Sequence, residues 1–158
     1  MKTLDYIKLN EAGSNKVIDS LQVLLADLQV YYTNLRNFHW NIKGRGFFQL
    51  HEAFEKMYDD VNEKVDEVAE RILMLGGVPE NKFSNYLKIA RVKEEDVQSD
   101  GMKAIENILE TISHLIVEER KIIEIAGDNK DEATVSMMSD YLVEQEKSVW
   151  MLTSFMSK

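Results

Sequence analysis

Apolar residues recur along this chain at the three- and four-residue spacing of helices. Val17, Leu21, Leu24, Leu28, Tyr31, Leu35 and Phe38 form one stripe. Phe47, Leu50, Phe54, Met57, Val61, Val65, Val68, Ile72 and Leu75 form a second. Ile105, Leu109, Ile112, Ile116 and Ile123 form a third, and Val135, Met138, Leu142, Val149, Leu152 and Met156 a fourth, interrupted by Gln145. The pattern predicts four helices of about 27 to 30 residues, each about 40 Å long. Their ends are marked. Gly44 and Gly46 separate the first from the second, and Gly76-Gly77-Val78-Pro79 stops the second. Ser99-Asp100 opens the third and Gly127 closes it. Asn129 with Glu132 three residues later predicts a capping box for the fourth.

The connections differ in length. The first two helices are joined by a few residues around Lys43–Gly46, and the last two as tightly around Gly127–Lys130, so each pair is antiparallel. About 25 residues, 76–100, separate the second helix from the third. At about 3.3 Å per residue this segment can run the full length of a bundle, which makes those two helices parallel. Its apolar stretch from Phe83 to Ile89 predicts a small helix. Four helices with one long crossover resemble the ferritin-like bundle; an up-down bundle with a long loop is the alternative. The expected organisation is a single all-α domain over 1–158, with a short tail at 1–13.

Composition narrows the chemistry. The chain has 158 residues, 44% apolar and 30% charged, which suits a globular domain. It has no cysteine, so disulfides and thiolate ligands are excluded. The formal net charge of −9 disfavours unaided binding to nucleic acid or anionic lipid and suits a protein that handles cations. No segment reads as a signal peptide or a membrane span, and the expected location is the cytoplasm.

The second helix carries a polar stripe beside its apolar one. With His51 at zero on a wheel of about 100° per residue, Glu55 falls near 40°, Asn62 near 20°, Asp66 near 60°, Asp59 near 80° and Glu70 near 100°. The core residues fall between about 260° and 320°. His51-Glu55 and Asp66-Glu70 are i, i+4 pairs, each able to converge on one ion. The pairs are about 22 Å apart along the axis, too far to share a metal whose ligand bonds are about 2 Å. They are, however, mirror-placed about residues 60 and 61. Two copies of the helix packed antiparallel on a two-fold axis would bring His51-Glu55 of one chain level with Asp66-Glu70 of the other. His39, at the end of the first helix, lies beside the start of the second. Two imidazoles with three carboxylates suit Fe(II) or Zn(II) better than magnesium or calcium. A solvated acidic face with two ordinary half-buried histidines fits the same residues.

Asn37-Phe38-His39-Trp40-Asn41, Gly44, Phe47-Phe48, Leu50-His51-Glu52, Phe54, Tyr58, Asp66-Glu67-Val68-Ala69-Glu70-Arg71 and Gly76-Gly77 resemble the ferroxidase region of the Dps mini-ferritins (DNA-binding proteins from starved cells). The resemblance implies a hollow 12-subunit cage of four-helix bundles. The cage oxidises Fe(II), commonly with hydrogen peroxide or else with dioxygen, stores the ferric product inside and so protects against oxidative damage. By position, a two-iron centre would take His39, His51 and Glu55 from one subunit and Asp66 and Glu70 from its partner. Glu55 departs from the aspartate of many members. Trp40 matches the tryptophan packed beside that centre; simple core burial is the other reading. Asp128, Asp131, Glu132 and Asp140 fall near the family's acidic pores, although Ser136 stands where several members have a pore aspartate. Helix N-terminal acids complementing the macrodipole explain the same cluster.

Other readings are weaker. No Glu-x-x-His occurs, so the ligand pattern inside ordinary ferritin bundles is missing. His114 with Glu118 reads as structural. Met57 lies near the proposed dyad, where bacterioferritins bind haem, but a methionine on a core stripe is expected to pack. Some relatives bind DNA through a lysine-rich tail. Here the first 16 residues carry three lysines and two acids, and twelve copies of a −9 chain carry −108. DNA binding is therefore expected to be weak, and a nucleoid-compacting role is the alternative function.

Overall fold

The computed structural model describes residues 2–157; Met1 and Lys158 lie outside them. Among the described residues the chain forms helices α1 (Thr3–Ile7), α2 (Glu11–Asn41), α3 (Phe47–Met74), α4 (Phe83–Ile89), α5 (Gly101–Asp128) and α6 (Glu132–Met156). None is long and apolar enough to cross a membrane. Side-chain caps start three of the long helices. Asn10 accepts from Gly13 N at 2.6 Å, Asp100 from Met102 N at 2.9 Å, and Asp131 from Thr134 N at 3.0 Å. At the end of α3, Gly76 adopts a φ of 87°. There Gly76 N–H donates to Leu73 O and Gly77 N–H to Ile72 O, both at 2.9 Å, the paired bonds of a Schellman stop.

Contacts between helices fix their directions. Along α2 and α3, His39 stacks on His51, Phe38 meets Phe54, and Tyr32 meets Tyr58, so the two run antiparallel. Between α2 and α5, Lys43 N donates to Ser99 O at 3.0 Å and Asp27 meets His114 at 2.8 Å, again antiparallel. With α3 and α5 both antiparallel to α2, they are parallel to each other, as the long crossover requires. Lys64–Glu144, Glu67–Tyr141 and Arg71–Thr134 tie α3 antiparallel to α6. The result is a four-helix ferritin-like bundle whose crossover contains α4. All seven predicted α2 stripe residues are buried in its core, with Phe54, Val61, Val68 and Ile72 of α3.

Within the short tail expected at 1–13, α1 occupies 3–7, with Leu4 buried, and α2 already begins at Glu11. Three local expectations are corrected. The core face of α5 is rotated from the predicted stripe and runs through Ala104, Ile105, Ile108, Ile112, Leu115, Glu119, Ile122 and Ala126. Leu109, Ile116 and Ile123 are half-buried, because apolar residues flank the core face. Gly127 does not close α5. The left-handed residue is Lys130, with φ 57°, and the helix runs to Asp128. The cap of α6 is Asp131, while the Asn129 amide donates back to Ile125 O at 2.6 Å.

A polar row on α2 holds the crossover. The fully buried Asp27 carboxylate accepts from Arg91 N at 2.6 Å, Val92 N at 2.9 Å and the His114 imidazole at 2.8 Å. Asn34 pairs with Lys93 O and Glu95 N, and Asn37 donates to Glu95 O and Asp96 O. His114 is thereby structural, as its sequence setting suggested. Asp27→Ala leaves two main-chain donors without partners and should cost about 1–3 kcal/mol for each. A lower urea midpoint at unchanged slope checks it.

Candidate metal centre

The tight turn 42–46 places the end of α2 against the start of α3, and His39 and His51 meet there. Their rings stack with centroids 3.8 Å apart and planes 15° from parallel. Each ring reaches the other residue's main chain: His39 Nδ1 lies 2.7 Å from His51 O, and His51 Nδ1 lies 2.8 Å from His39 O. A carbonyl oxygen only accepts, so each Nδ1 carries the hydrogen and donates. In the neutral ring this leaves the lone pair on Nε2, the tautomer that binds a metal. The rings are further fixed by Phe47, stacked on His51 at 5.0 Å, and by Tyr58, edge-on to His39 at 5.3 Å.

Beyond the imidazoles the α3 stripe faces out. Glu55, Asp59, Asn62, Asp66 and Glu70 are exposed, while Phe54, Val61 and Val68 behind them are buried. Helix geometry puts Asp66 and Glu70 far along the axis from His51. Among the described residues of one chain, no three His, Asp or Glu side chains gather in a group able to hold a metal ion. The structure thus brings His39 and His51 together, sets Glu55 one turn on, and leaves Asp66 and Glu70 at the other end of the same open face.

Trp40 is not in the core. It is 61% exposed at the end of α2, with the Arg36 guanidinium 4.6 Å over its ring. The same guanidinium lies 5.3 Å over Tyr32, which packs edge-on to Tyr58. Burial, the Glu55 and Asp59 carboxylates and Tyr32 push the Tyr58 phenol up, while Arg36 pulls the other way. Sequence reasoning used Tyr58 only as part of a motif and missed Arg36. Their signal was the row Tyr32, Arg36, Trp40 at four-residue spacing and the position of Tyr58 two turns after His51.

The four candidate pore acids divide. Asp128, Glu132 and Asp140 are exposed. Asp131 is buried, capping α6 and bonded to Arg71 Nη2 at 2.5 Å, so its carboxylate is committed inside the fold. Asp140 and Ser136 line a groove of about 620 Å³ between α3 and α6, with Asp60, Glu63, Glu67, Glu70 and Glu144. Lys64 sits at its floor, bonded to Asp60 and Glu144 at 2.6 Å each.

A family model for the ferritin-like domain matches residues 18–158. The DNA protection during starvation protein of Porphyromonas gingivalis is 52% identical over 157 residues, 99% of each chain. That of Helicobacter pylori is 38% identical over 90% of this chain and 99% of its own. The crystal structure of the Vibrio cholerae Dps protein superposes with a TM-score of 0.93 at 45% identity, covering 94% of each chain. It is described as a member of a broad superfamily of ferritin-like diiron-carboxylate proteins. The Dps protein of Bacillus brevis superposes at 0.90 with 32% identity, over 92% of this chain and 98% of its own. Bundle, crossover, histidine pair and these likenesses agree: the chain belongs to the Dps mini-ferritins of the ferritin-like family.

Proposed function

We propose that this protein is a ferroxidase and iron store of the cytoplasm, acting as a homododecamer of single-domain subunits. Fe(II) enters at two-fold interfaces, where His39, His51 and Glu55 of one subunit face Asp66 and Glu70 of the partner subunit. Glu55, Asp66 and Glu70 supply ionised oxygens that stabilise Fe(III) over Fe(II), because the harder ion favours oxygen ligands. Each hydrogen peroxide takes one electron from each of two Fe(II) and two protons from solvent, leaving two Fe(III) and two waters. No hydroxyl radical is released, and the ferric product collects in the cage. The observation that carries this reading is the reciprocal pinning of the two imidazoles, which leaves both Nε2 lone pairs free beside an exposed acidic face. Trp40 and Phe48, exposed near that face, give a partner subunit apolar surface to cover.

Native mass spectrometry joined to anaerobic Fe(II) titration tests it. Twelve copies of an 18.3 kDa chain give about 220 kDa, with Fe(II) binding saturating at two ions per subunit-shared centre. A monomer that binds Fe(II) as tightly as the assembly would sink the interfacial site.

A further inference from the structure

Unlike the buried acids Asp27 and Asp131, whose carboxylates are both bonded to several donors, one buried acid is left half-partnered. Glu119 projects from α5 into the apolar layer and is 0% exposed. Its Oε1 accepts from Gln145 Nε2 of α6 at 2.6 Å. Its Oε2 has no hydrogen-bond partner, and neither has Gln145 Oε1 in the same layer. Two buried acceptors without a donor are costly. A proton on Oε2 eases the mismatch, since it turns one of the two unpartnered acceptors into a donor.

The charged and phenolic side chains around it offer no other remedy. On α3, the Lys64 ammonium is the nearby cation, and its hydrogen bonds go to Asp60 and Glu144. On α6, the Tyr141 hydroxyl donates to Glu67 at 2.6 Å. On α2, the Tyr31 phenol is itself pushed far up by burial and by Asp60. Burial drives the Glu119 carboxyl up to about 8, against the weaker pull of Gln145 and Lys64. Beside this layer a cavity of about 40 Å³, lined by Tyr31, Lys64, Gln145 and Ser148 among others, has room for one water.

We propose that Glu119 keeps its proton in the folded subunit and acts as a pH-sensitive latch between α5 and α6, released as the acid ionises. The latch has a definite sign. An acid held neutral by the fold stabilises it fully below the unfolded carboxylate value. That stability drains as pH rises and is gone above about 8. Across the window between, each opening that exposes Glu119 releases a proton, so the opening equilibrium rises about tenfold per pH unit.

Hydrogen exchange of the intact assembly, corrected for intrinsic exchange chemistry, reads this directly. Protection of the α5 and α6 segments around Glu119 and Gln145 should fall about tenfold per unit from pH 6 to 8 and level off above. In Glu119→Gln, which is isosteric and cannot ionise, the same segments should show no such slope. A second readout needs no variant. The native protein at pH 7 should show the infrared carbonyl band of a buried protonated carboxylic acid, lost in alkaline solution. Equal slopes in both proteins, or no acid band at pH 7, would overturn the latch.

Discussion

His51→Ala and Asp66→Ala should each slow peroxide-driven Fe(II) oxidation by at least about a hundredfold. Loss of a residue that merely supports a metal ligand costs about 10–100-fold, and in the proposed centre each variant removes a ligand itself. The distance between the two residues makes the pair informative. One lies near the start of α3 and the other about four turns on, so within a chain they cannot serve one ion. Co-assembly of the two variant chains therefore has a specific outcome. At a two-fold contact between unlike variants, one centre loses both residues and the other regains the full set. With random mixing, half of the contacts are unlike, and about a quarter of the centres are restored. Stopped-flow oxidation of the mixture should recover about a quarter of the wild-type rate, whereas a site built within one chain predicts no recovery.

The second large effect concerns stability. Arg71, at the last turn of α3, is buried with its Nε on Thr134 Oγ1 at 2.8 Å and its Nη2 on Asp131 Oδ1. Asp131 in turn accepts from Thr134 N and from the Thr134 hydroxyl at 2.6 Å. One arginine thus ties the end of α3 to the cap of α6. Arg71→Ala strands a buried carboxylate and should cost about 3–5 kcal/mol. Asp131→Ala strands the guanidinium and removes the cap as well. If the double variant loses much less than the two single losses together, the groups act as one unit; additive losses would contradict that. Thermal unfolding followed by circular dichroism supplies the three values.

The long helices were legible because α2 and α3 segregate apolar and polar residues cleanly, and because glycines stand at the turn 42–46 and the stop at 76–77. The crossover followed from chain length alone. Much of what escaped was buried charge. Asp27, Lys64 and Glu119 are charged residues inside the fold, and a reading of pattern assigns charge to the surface. Glu119 lies on the true core row of α5, four residues after Leu115 and three before Ile122, so its place could have been suspected from spacing. The cap of α6 was misplaced because Lys130, not a glycine, takes the left-handed position before it. At the site, the histidine pair and the acids were legible as positions. The pinning of the rings was not, since it is made by main-chain carbonyls whose direction depends on how the turn closes.

Arg36 stacked on an exposed Trp40 has a consequence for watching this protein. The chain has two tryptophans, and the second, Trp150, is 64% exposed on α6. Neither indole is sealed by the folding of one chain. In the proposed two-fold contact a partner subunit would cover the Trp40 ring, beside the imidazoles. Tryptophan emission therefore records association rather than folding. If the proposed assembly forms, a shift toward the blue should follow subunit contact, while far-ultraviolet dichroism follows folded helices. The two signals part company wherever folded subunits exist unpaired.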